Sequence, residues 1–316
     1  MNYLNVVTNM FEIKNFDNWV PYEGLSEGSG RSEKIWLTSG NNEHQKIGLF
    51  KYPKIDPSGE ITTEHISEHL SYHLGQIVHQ PTAVVDLGIY HGRIGSMSYL
   101  VNKSNQMLLE GVNFITGVYP EFDPETMQDA ASGQFYCLDQ ILSSTQLIVS
   151  RWTWVKMMMF DFLIGNTDRH QSNWAILVSL SEDNEPSLTA TPCPLYDNGS
   201  SLCCYITEQM ISKYFGKDPG PMKSLVDSQS RSIIRINGAS KKRPPHSDMV
   251  RYLLKQFDET FNIAGHFVLE LTDERIDSLL EQYPESILFA QKNALIRKYL
   301  KAKIMLLRSI LEEYHK

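Results

Sequence analysis

The sequence has little cysteine. Cys137, Cys193, Cys203 and Cys204 are all it has in 316 residues, and no two form a CxxC pair. That makes neither a disulfide scaffold nor a zinc module and suits a reducing compartment. Long apolar runs are also missing. The most apolar stretch, VKMMMFDFLIG, is broken by Lys156 and Asp161 and falls short of the ~18 apolar residues a membrane helix needs. The start, MNYLNVVTNMFEIKNF, lacks the basic-then-apolar order of a signal peptide. A cytoplasmic-type protein without a membrane partner is expected, with secretion as an effector left open. Positive charge is in short supply: Lys+Arg total 29 against 37 Asp+Glu, a net charge of −8. Direct nucleic-acid binding is therefore not expected. Internal repeats and low-complexity tracts are absent.

What is present is ordinary globular material, 41% hydrophobic and 21% charged. The length suits about two domains, or one domain of two lobes. Up to residue 103 the chain reads mainly as strand. Lys34–Ser39 and Lys46–Tyr52 form a β-hairpin pattern, and Thr82–Ile89 and Ser96–Val101 are strand-like. Between them a helix is predicted from Thr62 or Thr63, with a threonine hydroxyl as its cap and Ile66, Leu70, Leu74 and Ile77 facing a core. From about residue 105 to 316 the reading is helical, with a buried helix over Gln146–Gly165. A strand pair, Asn173–Leu180 and Ser187–Leu195, interrupts it. The expected fold is α+β: an antiparallel-sheet N-lobe (1–103) with one helix, and a mainly helical C-lobe (104–316).

The densest chemistry is in LIGNTDRHQSNW, residues 163–174. Asp168 stands five positions before Asn173, the D-x-x-x-x-N spacing of a kinase catalytic loop. There a carboxylate meets the attacking hydroxyl and an amide oxygen holds a metal ion on the phosphates. Asp and Asn also crowd surface turns, so the spacing alone does not decide. Order adds weight. After the strand pair comes Leu195-Tyr196-Asp197-Asn198-Gly199, an aspartate at a strand end followed by x-Gly, the layout of a metal-binding D-x-G element. Upstream, GLSEGSGRSEK contains Gly28, Ser29 and Gly30 in a glycine-rich loop running into a strand, where backbone N–H groups approach phosphate. It is not a Walker A loop, because no Gly-Lys-Ser/Thr closes it. Lys51 ends the strand IGLFK, where a kinase lysine reaches the α/β-phosphates. Glu64 or Glu68, on the next helix, supplies its ion-pair partner. Tyr99–Val101 is the expected hinge strand, presenting backbone groups to adenine.

The set GSGRSEKIWL, LFKYP, the Glu64/Glu68 helix, IGNTDRHQSNW and PLYDNGSSL resembles the HipA-type toxin serine/threonine kinases. It is most similar to their short HipT- and CtkA-like members, which lack the extra N-terminal domain. The resemblance spans roughly residues 20–310. It implies a bilobal, atypical protein-kinase-like fold and an ATP- and Mg²⁺-dependent kinase. Asp168 is then the catalytic aspartate, Asn173 and Asp197 the metal ligands, and Lys51 the ATP-phosphate lysine. His170 matches the family histidine that supports the loop. It further implies a toxin or effector that phosphorylates a serine or threonine of a host or translation-related protein, such as an aminoacyl-tRNA synthetase, and that is opposed by an antitoxin. The family's autophosphorylated loop serine stands seven residues before the lysine that here is Lys34. That register falls on Glu27, with Ser26 and Ser29 as neighbouring candidates. A lipid or small-molecule kinase and an ATP-binding pseudokinase are the competing readings.

Three other signals carry less. His65, His69 and His73 share one helix face, read as a polar face in preference to a metal site because the pattern is not HExxH. Lys241-Lys242-Arg243 before Pro244-Pro245 reads as a solvated loop. Met157–Met159 with Trp152 and Trp154 read as core, and Cys203-Cys204 as buried thiols.

Overall fold

The computed structural model describes residues 10–25, 33–40, 45–181 and 187–314. Six strands build the first sheet: β1 (Lys14–Asn15), β2 (Val20–Pro21), β3 (Lys34–Thr38), β4 (Ile47–Lys51), β5 (Val85–Tyr90) and β6 (Arg93–Tyr99), in the order β1-β5-β6-β4-β3-β2. The predicted hairpin is present as β3 and β4, with Lys34 opposite Lys51. Expected to be antiparallel, the sheet is mixed, because β1 runs parallel to β5. Gly88 allows this docking. A Cβ there would lie 2.2 Å from the Phe16 ring, which packs directly over the strand.

Helix α1 (Glu64–Ile77) crosses one face of the sheet. Thr63 holds the N-cap position, but its hydroxyl makes no capping bond and is buried without a partner. Its backbone, at φ −100° and ψ 32°, is not in the extended region that aims a cap oxygen at the first turn. Ile66, Leu70 and Leu74 are fully buried as expected and join Leu87 in a core continuous with that of the helices, while Ile77 is half-buried. On the sheet's opposite face Phe16, Leu37, Phe50, Tyr90 and Met97 make a separate core.

Beyond the sheet the sequence predicted only helix up to the strand pair. Instead β7 (Gln106–Glu110) pairs antiparallel with β10 (Ala175–Ser181), which pairs in turn with β11 (Ser187–Pro192). QMLLE has helix-forming residues, and the open edge of β10 overrides that preference. Between β7 and β10 lie α2 (Gly111–Val118), β8 (Phe122–Asp123), β9 (Gln128–Asp129), α3 (Leu138–Thr145) and α4 (Arg151–Ile164). Helix α4 starts at Arg151, five residues later than Gln146 suggested, capped by the Ser150 hydroxyl, which accepts the Trp152 N–H. It stops at Gly165, at φ +66°, where a Cβ would lie 2.0 Å from the Tyr299 hydroxyl. Met157, Met158, Met159 and Trp154 are core residues, as read, and Trp152 is partly buried. After β11 come α5 (Glu208–Ile211), α6 (Gly220–Val226), α7 (His246–Gln256), α8 (Thr260–Glu270), α9 (Asp273–Leu280) and α10 (Ala290–Tyr314). The architecture is α+β and two-lobed, a sheet with one helix beside a helical body. Main-chain bonds from Ala83 to the Leu195 carbonyl (2.8 Å) and from Leu195 to the Pro81 carbonyl (3.0 Å) join the two just ahead of Asp197. Among the described residues no helix is long and apolar enough to cross a membrane.

Candidate active site

The end of β4 delivers Lys51 into the space between sheet and helices. Its ammonium meets Asp197 Oδ1 at 2.8 Å and Glu68 Oε1 at 3.1 Å. Burial works against that charge, but the two carboxylates outweigh it and raise the lysine pKa above its ordinary value. Glu68 is the partner because it stands one helical turn after Glu64, deeper along α1, and is 3% exposed. Its second oxygen accepts the Asn198 N–H at 2.9 Å, which ties α1 to the Asp-Asn-Gly turn. Glu64, the alternative, is used elsewhere. It binds Lys54 Nζ at 2.9 Å and accepts the Tyr205 hydroxyl at 2.8 Å.

Asp197 has φ +56°, in the left-handed region that aspartate tolerates better than most side chains. Such residues cluster at functional sites. Burial opposes its charge too, yet Lys51 overrules this and holds the carboxyl down at about 2. The side chain is still 45% exposed, so it faces the cleft.

The catalytic-loop candidates sit directly alongside. Thr167 donates its N–H to the Ser200 carbonyl at 3.1 Å, and Leu202 donates to Ile164 at 2.8 Å, so the loop and the segment after Asp197 run together. Asn173 donates its amide to the Asp168 carbonyl at 2.7 Å. The Asn173 side-chain oxygen accepts no hydrogen bond among the described residues. Asp168 is braced by the Asn166 side chain, which accepts its N–H at 3.0 Å. Its own carboxylate has no hydrogen-bond partner among the described residues. Burial and the neighbouring Asp197 push the Asp168 pKa up, against the pull of His170, Arg243 and Lys54. His170 bends the loop: its N–H donates to Asp168 (2.9 Å), its carbonyl accepts from Asn173 (2.9 Å), and its Nδ1 accepts from Ser172 (3.2 Å).

Sequence reading missed the clamp that holds these pieces. Arg169, 1% exposed, pairs with Asp161 of α4 at 2.8 Å. Its guanidinium also donates to the carbonyls of Asn173 and Tyr196 (2.8 Å each) and to Asn198 Oδ1 (2.6 Å). One planar fork thus fixes the residue before Asp197, the residue after it, and Asn173. A signal was available, because a carboxylate in an apolar helix such as VKMMMFDFLIG requires a buried partner. Asn198, where protein kinases commonly have Phe, serves as the polar receiver of this clamp.

Other predicted residues are placed less simply. The Tyr99 amide is spent on the Val84 carbonyl and that of Leu100 on Ile47 (2.9 Å each), so neither can face adenine. The Val101 amide has no partner among the described residues. Its side chain packs with Leu108, Ala175, Leu177 and Cys193 into an apolar wall. Ser26, Gly28, Ser29 and Gly30 lie outside the described residues. The histidine face is not solvated: His65 and His69 are buried, and His69 bonds Tyr283 (2.8 Å) and His73 (3.2 Å). The N-terminal arm, through Phe11, and Tyr283 cover it. Among the described residues no cluster of three or more His, Cys, Asp or Glu could hold a metal ion. The four cysteines are free thiols, with Cys203 only half-buried. Lys241, Lys242 and Arg243 are exposed, as read.

No family profile matches the chain, and no curated protein sequence does. Solved structures do match. The Helicobacter pylori proinflammatory kinase CtkA superposes with a TM-score of 0.75 at 16% identity, covering 96% of this chain and 99% of that one. A chain from the Shewanella oneidensis toxin–antitoxin complex of HipA, HipB and operator DNA superposes with a TM-score of 0.53 at 11% identity, covering 96% and 67%. At such identities the likeness is one of fold, and the fold of this chain is that of the CtkA kinase along nearly its whole length.

Proposed function

We propose that the chain is a HipA-like serine/threonine protein kinase that transfers the γ-phosphoryl group of ATP to a protein hydroxyl. The observation that carries this is the Lys51–Glu68–Asp197 constellation at 3.1 and 2.8 Å. The Arg169 clamp that holds both neighbours of Asp197 also holds Asn173, whose side-chain amide donates to the Asp168 carbonyl. The donors fit the nucleotide and its metal. Asp197 keeps one carboxylate oxygen free of Lys51 and Asn173 keeps its side-chain oxygen, and hard oxygen donors suit Mg²⁺. Held there by Asp197 and Asn173, Mg²⁺ would supply charge neutralisation on the phosphates. Lys51, held charged by its two carboxylates, binds phosphate oxygens. The Val101 amide and its apolar wall receive the adenine, and the resemblance assigns Gly28, Ser29 and Gly30 to contact with the phosphates. Asp168, with an unengaged carboxylate and a raised pKa, orients the acceptor hydroxyl and accepts its proton as the oxygen attacks. Positioning and charge neutralisation supply most of the acceleration.

The resemblance in sequence and fold extends the reading to a toxin or effector with a protein antitoxin, autophosphorylation at Ser26 or Ser29, and a translation-related target. A phosphate at either serine would place ~2 negative charges beside the ATP phosphates and weaken nucleotide binding. The experiment is incubation with labelled ATP, Mg²⁺ and cell extract, comparing the parent with Asp168→Ala. Label on serine or threonine of protein, reduced ~10²- to 10⁴-fold in the variant while ATP binding persists, is expected. Label that partitions into organic solvent would mark a lipid kinase, and equal labelling by both proteins would end the kinase reading.

A further inference from the structure

Lys303 of α10 is fully buried. It lies over the Phe162 ring at 4.6 Å and the Tyr299 ring at 5.4 Å, and forms no ion pair among the described residues. A lysine in such a place must spend its N–H groups on something specific. It donates to the Ser230 hydroxyl at 2.8 Å. Ser230 contacts His246 Nδ1 at 3.0 Å, and His246 Nε2 contacts the Asn166 carbonyl at 2.8 Å. Every member is at most 5% exposed.

The direction of this chain follows from the carbonyl at its end and from a ring kept neutral by burial. A carbonyl only accepts, so His246 carries its proton on Nε2. Its Nδ1 therefore accepts, and Ser230 donates to it. The Ser230 oxygen is then left to accept from Lys303. Burial, reinforced by the nearby lysine, lowers the His246 pKa to about 3, which keeps the ring in the neutral form this requires. The far end is the pivot of the catalytic loop. Asn166 is held by its carbonyl from His246, donates its side-chain amide to Asp161 at 3.1 Å, and accepts the Asp168 N–H at 3.0 Å.

We propose that His246, oriented by Ser230 and Lys303, is a positioning residue for phosphoryl transfer: it fixes Asn166 and, through it, the Asp168 carboxylate, so that α10 and α7 set the geometry of the catalytic loop. The inference rests on the kinase reading for its consequence in rate, and on geometry and burial for the tautomer.

The test uses the full chain. His246→Leu removes the donor, and a shift of about 1 Å at Asp168 can cost ~10²-fold. A fall in kcat of ~10- to 100-fold with the KM for ATP within about twofold is expected. His246→Gln offers an N–H near the place of Nε2 and should restore kcat to within about threefold of the parent. Lys303→Met, which leaves the Ser230 oxygen only the longer contact with the Tyr299 hydroxyl at 3.4 Å, should lower kcat by about threefold. Nitrogen-15 NMR at pH 7 should show His246 neutral and protonated on Nε2, with the Asp168 amide displaced in His246→Leu and returned in His246→Gln. Parental kcat in His246→Leu would overturn the proposal. So would equal loss of kcat and ATP binding in all His246 variants, or an Nδ1-protonated or charged ring. If the parent transfers no phosphate, the kinase reading falls, and the tautomer and the Asp168 amide alone decide the positioning.

Discussion

The two halves of the candidate site are built differently. On the helical side, Arg169 has no valence left over. All of its described bonds run to Asp161, Asn173, Tyr196 and Asn198, inside a region closed to solvent. On the sheet side, Lys51 joins a buried carboxylate, Glu68, to an open one, Asp197, 3% and 45% exposed. A saturated network determines shape, while an unsaturated one has capacity for a ligand. Breaking the first should therefore cost stability, and breaking the second should cost chemistry. Four measurements separate these outcomes.

The largest effect belongs to the open side. Asp197→Ala removes the lowered carboxylate that Lys51 holds ready, and labelled-ATP assays with Mg²⁺ should show transfer reduced by ~10³-fold or more. Its thermal midpoint should stay near the parent's, since the side chain is half in solvent. Undiminished turnover would remove Asp197 from the site.

Next comes the closed side. Arg169→Met leaves Asp161 charged, buried and unpaired, which costs about 3–5 kcal/mol. Denaturant titration should show it directly. Asp161→Asn with Arg169→Met should recover part of the loss, because the double change leaves no orphaned charge. If Arg169→Met were as stable as the parent but inactive, the clamp would be a catalytic group and the comparison would be inverted.

A third measurement concerns buried polarity outside the site. His65, His69 and His246 are all buried and held neutral, with pKa values lowered by burial to about 4, 3 and 3. Unfolded, each titrates near 6.5. Above that pH neither state is protonated and the folded state loses nothing. As pH falls below 6.5 the unfolded chain takes up protons that the folded chain cannot, so stability declines until the folded values are reached. Three such groups cost up to about 3 kcal/mol between pH 6.5 and 5.5. A thermal midpoint flat across that range would show that these histidines are more open to water than they stand here.

How much of this was legible in the sequence follows the same division. Lys51, Asp168, Asn173 and Asp197 were legible as candidates because ligand chemistry dictates residue type and spacing along a short segment, and the fold pairs Lys51 with Asp197 and Asn173 with Asp168. The hairpin and α1 were found because apolar periodicity is local. Arg169, Ser230, His246 and Lys303 were not found, because their partners lie 8 to 80 positions away in the chain and their types fit any surface. β7 was missed for a related reason, since only the edge of β10 makes QMLLE a strand. The burial of the histidine face was not legible because the residues that cover it, Phe11 and Tyr283, come from opposite ends of the chain.

The smallest expected effect is the one that sequence left open, the choice between Glu64 and Glu68. Glu68 contacts both Lys51 and the Asn198 backbone, and it has no access to solvent that could replace those bonds. In Glu68→Gln the amide can still accept one bond but brings no charge. Lys51 should then lean wholly on Asp197 and draw that carboxylate away from the place proposed for Mg²⁺. A fall in kcat/KM of roughly tenfold, about 1.4 kcal/mol, is expected. Glu64→Gln weakens a part-buried tie to Lys54 and Tyr205 that does not touch Lys51, so its cost falls on stability and not on the Lys51 site. Its kcat/KM should stay within about twofold of the parent. Steady-state kinetics on the two variants side by side give the answer as a ratio. A larger loss for Glu64→Gln would move the ion pair one turn back along α1 and with it the register of the helix against Lys51.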